Sequence, residues 1–187
     1  MKFFIDTAEV KELGAVAAMG CVDGVTTPSA SRPPDATLLA LCAIAEVPVS
    51  VVCGSTTAVD LIAEARRLAT LHPNVVAAIP MGVEGLEAVK ALASEGLRTN
   101  VTHCFTANQA LLCMKAGATW VSLDGLGALR DTVSIFRTFG AKTQVLVVGL
   151  RDPEQVLQSA LLGADAVSLP GRAIEQLATS EKGTSWS

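Results

Sequence analysis

Short apolar runs alternate along this chain with segments whose apolar positions recur every three or four residues. The runs are Lys2 to Asp6, Asp23 to Thr27, Val47 to Cys53, Val75 to Ile79, Arg98 to Phe105, Thr119 to Leu123, Thr143 to Val148 and Asp165 to Leu169. Each reads as a strand. Val75 to Ile79 is apolar throughout, as a strand buried on both faces should be, whereas Arg98 to Phe105 alternates. Helix-period segments lie between them. Thr7-Ala8-Glu9 reads as a cap opening a helix to Met19, Asp35 to Ala45 follows the turn-rich Pro28 to Pro34, and Gly54-Ser55-Thr56-Thr57 opens a helix to Leu71. Leu86, Val89 and Leu92 share one helical face, and Ala107 starts the next helix. A helix then runs through Phe139, and two more span Pro153 to Leu162 and Arg172 to Ala178.

Eight strand candidates thus alternate with eight helix candidates. Consecutive parallel strands need a crossover, and a helix is the usual one, so the alternation predicts an α/β protein with a parallel sheet. Eight repeats predict closure into a single-domain (βα)8 TIM barrel over residues 1–178, with 179–187 a frayed tail. An open doubly wound sheet of the same elements is the alternative. No Gly-x-Gly-x-x-Gly follows the first strand to favour dinucleotide binding.

Composition narrows the functional classes. At 187 residues, half of them apolar, the chain can bury a substantial core and disorder is excluded. A net charge of −4, with no basic stripe, argues against nucleic acid. No apolar run approaches the roughly 18 residues of a membrane span, and Asp6 interrupts Lys2-Phe3-Phe4-Ile5 too soon for a signal-peptide core. The five cysteines form no CxxC pair, which predicts neither a metal site nor a disulfide framework but reduced thiols in a cytoplasmic protein.

Parallel sheets carry their chemistry at the carboxyl ends of the strands. Asp6 ends the first strand and Asp124 stands two residues beyond Ser122, on the same face if that strand continues. Alternation turns Asn100, Thr102 and Cys104 inward and His103 to the opposite side. Val52, Ala78, Met81, Leu123 and Gly149 would add an apolar lining. In so dry a pocket one of the two carboxyls holds its proton while the other stays ionised, an acid–base pair worth about 10²–10⁴-fold in rate. The structural alternatives are a helix cap for Asp6, a turn for Asp124-Gly125, and core packing for Cys104 and Cys53. Arg151 either meets an anionic ligand or pairs with Asp152 or Glu154.

Six segments in the same order resemble the transaldolase family, in particular its small fructose-6-phosphate aldolase-like branch. They are Phe4-Ile5-Asp6-Thr7-Ala8, Gly24-Val25-Thr26-Thr27-Pro28-Ser29, Ile79-Pro80-Met81, Thr99-Asn100-Val101-Thr102, Ala107-Asn108-Gln109-Ala110, and Ala116 through Ser122. The resemblance implies a (βα)8 barrel and ketose cleavage or transfer through a Schiff base on a lysine just before Ile-Pro. It further implies a first-strand aspartate that moves protons, and a glutamate or glutamine that positions water with a threonine. An arginine and a serine would hold phosphate. At the matching places this chain has Ala78 for the lysine and Val52 for the acid or amide. Gly149 replaces the serine, and Leu123-Asp124-Gly125 runs where the arginine segment would be. Lys2, Lys11, Lys90, Lys115 and Lys142 fall on helices or their edges, or at the wrong strand end.

These departures lead to the expectation of a repurposed enzyme, working by non-covalent acid–base chemistry on a small, relatively apolar carbonyl metabolite. Asp6, Asp124, Thr102 and Asn100 would be catalytic, and Ser122, Arg151, Thr27, Val52, Ala78 and Cys104 would bind substrate. The second expectation is a non-catalytic metabolite-binding or scaffolding relative, and a Schiff-base aldolase or transaldolase ranks third. No cofactor and no metal are expected. The partners expected are a small-molecule substrate and further copies of the chain in a homo-oligomer, with neither nucleic acid nor membrane.

Overall fold

In a computed structural model describing residues 1–28, 32–44 and 46–179, strands and helices alternate from end to end. They are β1 (Lys2–Asp6), α1 (Val10–Ala17), β2 (Gly24–Thr26), α2 (Asp35–Ile44), β3 (Val49–Val52), α3 (Ala58–Leu71), β4 (Val75–Pro80) and α4 (Val83–Ser94). The second half adds β5 (Thr99–Cys104), α5 (Ala107–Ala116), β6 (Trp120–Asp124), α6 (Leu129–Thr138), β7 (Gln144–Val148), α7 (Pro153–Leu162), β8 (Ala166–Leu169) and α8 (Gly171–Thr179). Neighbouring strands pair in parallel in chain order, and β8 pairs with β1 through Phe4 and Ser168. That last pairing closes the (βα)8 barrel and rules out the open sheet. The expected helix end at Ala45, Ser29 in the second segment, and the tail from residue 180 onward lie outside the described residues. Thr179 belongs to α8.

Local signals start and stop the helices. Asp152 caps α7 by accepting the Gln155 N–H at 2.8 Å, with Pro153 in the first turn, where a missing N–H costs nothing. Thr106 and Gln109 form a reciprocal capping box on α5, and Gly117 ends that helix in the left-handed conformation. Glu12 of α1 accepts the Gly171 N–H at 3.1 Å, fastening the first helix to the start of the last. No helix of the described residues is long and apolar enough to cross a membrane.

Two apolar layers result. The larger lies between sheet and helices and includes Ile5, Leu13, Leu38, Leu61, Ile79, Leu92, Leu123 and Leu129, all essentially inaccessible. At about 1.5–3 kcal/mol for each large side chain fully buried, this layer carries most of the stability. The smaller layer fills the barrel at the amino ends of the strands with Phe4, Val76, Trp120, Leu146 and Ala166. Phe4 and Trp120 meet edge to face, ring centroids 6.1 Å apart. Gly24 makes room for this plug, since a Cβ there would sit 2.5 Å from the Phe4 ring. Lys2 belongs to this closed end, its Nζ donating to Gln144 Oε1 at 3.3 Å beside the Trp120 indole N–H. The plug leaves the barrel open only at the carboxyl ends of its strands.

Candidate active site

Two residues further along β1, β6 and β8 from the plug, the inward positions become polar, while β4 and β7 present Ala78 and Val148. Phe4 is succeeded by Asp6, Trp120 by Ser122 and then Asp124, and β5 presents Asn100 and then Thr102. These side chains line a cavity of about 340 Å³ at the strands' carboxyl ends, the size of a small metabolite site. Ten of its sixteen lining residues carry hydroxyl, amide, imidazole or carboxyl groups, set among the apolar side chains of Val52, Ala78, Val148 and Leu150.

Two hydrogen-bonded chains organise it. Buried Asn100 donates through Nδ2 to Ser50 Oγ at 3.0 Å and accepts from Ser122 Oγ at 2.9 Å, tying β3, β5 and β6 together across the barrel. On the other side Thr26 Oγ1 donates to Asp6 Oδ1 at 3.2 Å and lies 2.7 Å from Ser168 Oγ. Asp6 opens onto the mouth but is walled by protein, and this desolvation raises its pKa. The Thr26 hydrogen bond opposes the rise and the charge of Glu12 adds to it. A carboxyl that holds its proton above the usual range is suited to exchanging one with substrate. Thr27 lines the cavity while its hydroxyl accepts the Val52 N–H at 3.3 Å.

Asp6, Thr27, Val52, Ala78, Asn100, Thr102, Ser122 and Asp124 are brought together here, as alternation predicted. β6 does run on to Asp124, and Gly149 is needed opposite it. Gly149 has φ +72, and a Cβ there would come within 2.7 Å of Asp124 Oδ1. Arg151 is not among the lining residues. It is exposed after β7, and its backbone N–H donates to Gln155 Oε1 at 2.7 Å.

Four further placements are corrected. Leu123 alternates outward from Ser122 into the sheet–helix core, and Met81 lies beside Cys113 with Sδ and Sγ 3.6 Å apart, so neither lines the mouth. Cys104, expected to face substrate, is fully buried, its Sγ 3.8 Å from Cys113 Sγ. His103, expected to face away, lines the cavity instead. The cause is a β-bulge. β5 pairs Val101 with Val121 and Cys104 with Leu123, so β5 advances three residues while β6 advances two. His103 takes up the extra residue in the left-handed region at φ 59, the only non-glycine to do so among the described residues. Such a conformation costs an L-residue about 1–2 kcal/mol. Past it, Cys104 takes the outward register of Leu123. Cys53 is also buried, and burial, with Glu64 nearby, pushes its thiol up to about 12, so it is not a poised nucleophile.

Sequence reasoning also missed Thr26, Ser50 and Ser168. No lysine lines the cavity among the described residues: Lys11, Lys90 and Lys115 are exposed on α1, α4 and α5, and Lys142 is exposed before β7. Nor do the described residues hold three or more His, Cys, Asp or Glu side chains grouped as metal ligands.

A closed barrel whose polar cavity opens at the carboxyl ends of its strands is the arrangement in which (βα)8 enzymes do their chemistry. Residues 37–185 match the profile of the family described as Transaldolase/Fructose-6-phosphate aldolase, and the chain belongs to that family. It is 51% identical to a "Probable transaldolase" of Myxococcus xanthus (strain DK1622), over 95% of this chain and 87% of that protein. It is 43% identical to a "Probable transaldolase" of Desulfotalea psychrophila, over 95% of this chain and 90% of the relative. A third relative of the same name, from Moorella thermoacetica, is also 43% identical, over 95% and 89%.

These relatives overturn the expectation of a repurposed enzyme without a covalent intermediate, and that of a non-catalytic relative. They support a transaldolase-type function. The mouth also carries polar groups that the reading left out, from Thr26, Ser50, His103 and Ser168, beside the apolar Val52, Ala78 and Val148.

Proposed function

We propose a transaldolase-type function for this chain: carbon–carbon bond cleavage or transfer on a ketose-type substrate seated in the barrel mouth. The observation that carries the reading is the pair of hydrogen-bonded chains across the mouth. A polyhydroxylated carbonyl compound loses many hydrogen bonds to water on entering a pocket, and each must be replaced. Ser50, Asn100 and Ser122 on one side and Asp6, Thr26 and Ser168 on the other supply donors and acceptors at that density. Asp6 is the proton-transfer group in this reading. Relatives named as transaldolases along almost the whole chain support it.

Ala78 occupies the place of the family's Schiff-base lysine in this proposal. It is buried at the mouth of β4, in register with Val52 and Asn100. An amine placed there would be desolvated, which lowers its pKa and frees the lone pair that attacks a ketone.

The test of function is transaldolase-type turnover of fructose 6-phosphate with an aldose acceptor. The wild-type chain is expected to turn over, and Asp6→Asn to lower kcat by about 10²–10³-fold, within the range of acid–base assistance. Wild-type protein with no turnover rules the proposal out. The place of Ala78 is tested separately, by borohydride reduction of Ala78→Lys in the presence of dihydroxyacetone. The adduct is expected at residue 78 by peptide mass mapping, and an adduct elsewhere or none refutes the assignment.

A further inference from the structure

The β5 bulge does more than displace Cys104. It carries the imidazole of His103 into the mouth at the expense of regular pairing, with a non-glycine residue in the left-handed region. Such devices recur beside active sites because they aim a side chain that alternation would point elsewhere. Nothing in the packing requires it here, since the His103 side chain is exposed and plugs no gap in the core. Its one hydrogen bond is to the neighbouring site residue, with Nδ1 3.2 Å from Thr102 Oγ1.

That contact sets the tautomer. The Thr102 hydroxyl has a single proton, which it donates to the Ile79 carbonyl at 3.4 Å. With that proton on the carbonyl the hydroxyl accepts from Nδ1–H, and Nε2 keeps its lone pair for the cavity. The other ionisable groups lining the mouth are Asp6 from β1 and Asp124 from β6, both carboxyls, and no lysine or arginine lines it among the described residues. Imidazole is the only one of these side-chain types whose ordinary titration falls near neutrality.

We infer that His103 is a substrate-contacting proton-transfer residue, its Nε2 taking a proton from a hydroxyl of the bound polyhydroxylated substrate. The O–H bond breaks, its electron pair stays on oxygen, and the N–H bond forms. The proton returns to oxygen when the step reverses, so no other reactant is consumed. This rests on the transaldolase-type reading, in which Asp6 serves the opposite wall of the same cavity.

The chain has two histidines, and His72 lies away from the mouth at the end of α3, its Nδ1 accepting the Asn74 N–H at 3.2 Å. The ring C–H signals of His103 and His72 can therefore be assigned with one variant and followed by NMR while fructose 6-phosphate is added. The signal of His103 is expected to shift and that of His72 to stay. In turnover, His103→Gln is expected to lower kcat about a hundredfold and to change KM less than threefold. An active wild type with kcat unchanged in His103→Gln overturns the inference, as does a His103 signal that ignores the ketose. A wild type without turnover whose His103 signal still shifts would remove the transaldolase-type reading and keep the substrate contact. Neither turnover nor shift removes both.

Discussion

The left-handed backbone at His103 can be tested through the relative stability of two small side chains. His103→Ala and His103→Gly both delete the ring and its contact with Thr102, so those losses cancel in the comparison. They differ in the Cβ. In an extended strand, glycine is the worse of the two by about 0.5–1 kcal/mol, because it gives up more chain entropy on folding. At φ 59 the Cβ of alanine meets the steric cost of the left-handed region, about 1–2 kcal/mol, which glycine escapes. The two terms oppose, and the net favours glycine by about 0.5–1 kcal/mol. For a chain of 187 residues this corresponds to a Tm higher by about 1–4 °C. Scanning calorimetry on the two variants reads this directly. An alanine variant as stable as the glycine variant, or more so, would mean that residue 103 is extended, that alternation holds through β5, and that Cys104 faces the mouth after all.

Two other perturbations test the mouth. Burial raises the pKa of Asp6, so the folded chain binds its proton more tightly than the unfolded chain does. Its contribution to stability is therefore fully present below its ordinary value of 3.8 and is lost as pH rises through the raised folded value. Asp6→Asn should then have a higher Tm than wild type at neutral pH, by a margin that shrinks on acidification; a margin independent of pH contradicts the desolvation. Asn100→Ala strands the buried hydroxyls of Ser50 and Ser122, which should cost about 1–3 kcal/mol in urea unfolding. A loss well under 1 kcal/mol would show that the bridge across the barrel contributes little.

The barrel itself was legible because its signals are local. Strand and helix periodicity, Pro153 behind Asp152, and Gly117 at the end of α5 can each be read within a few residues. Alternation along unbroken strands also placed Asp6, Asn100, Thr102, Ser122 and Asp124 in one mouth, since a two-residue step on a regular strand keeps the same face. The function was misjudged because each departure from the family pattern was read as a loss, and one position at a time no compensating residue is visible. Thr26 and Ser50 pair across β2 and β3, and closure of β8 on β1 brings Ser168 beside Thr26.

The sequence alone therefore determined the number, kind and order of the elements, because backbone sterics and solvent impose these over short stretches. Tertiary structure decided which of Thr102, His103 and Cys104 reach the mouth. That choice rests on the pairing of β5 with β6, where one extra residue must go somewhere, and the register that exposes it is set by a neighbour some twenty residues away.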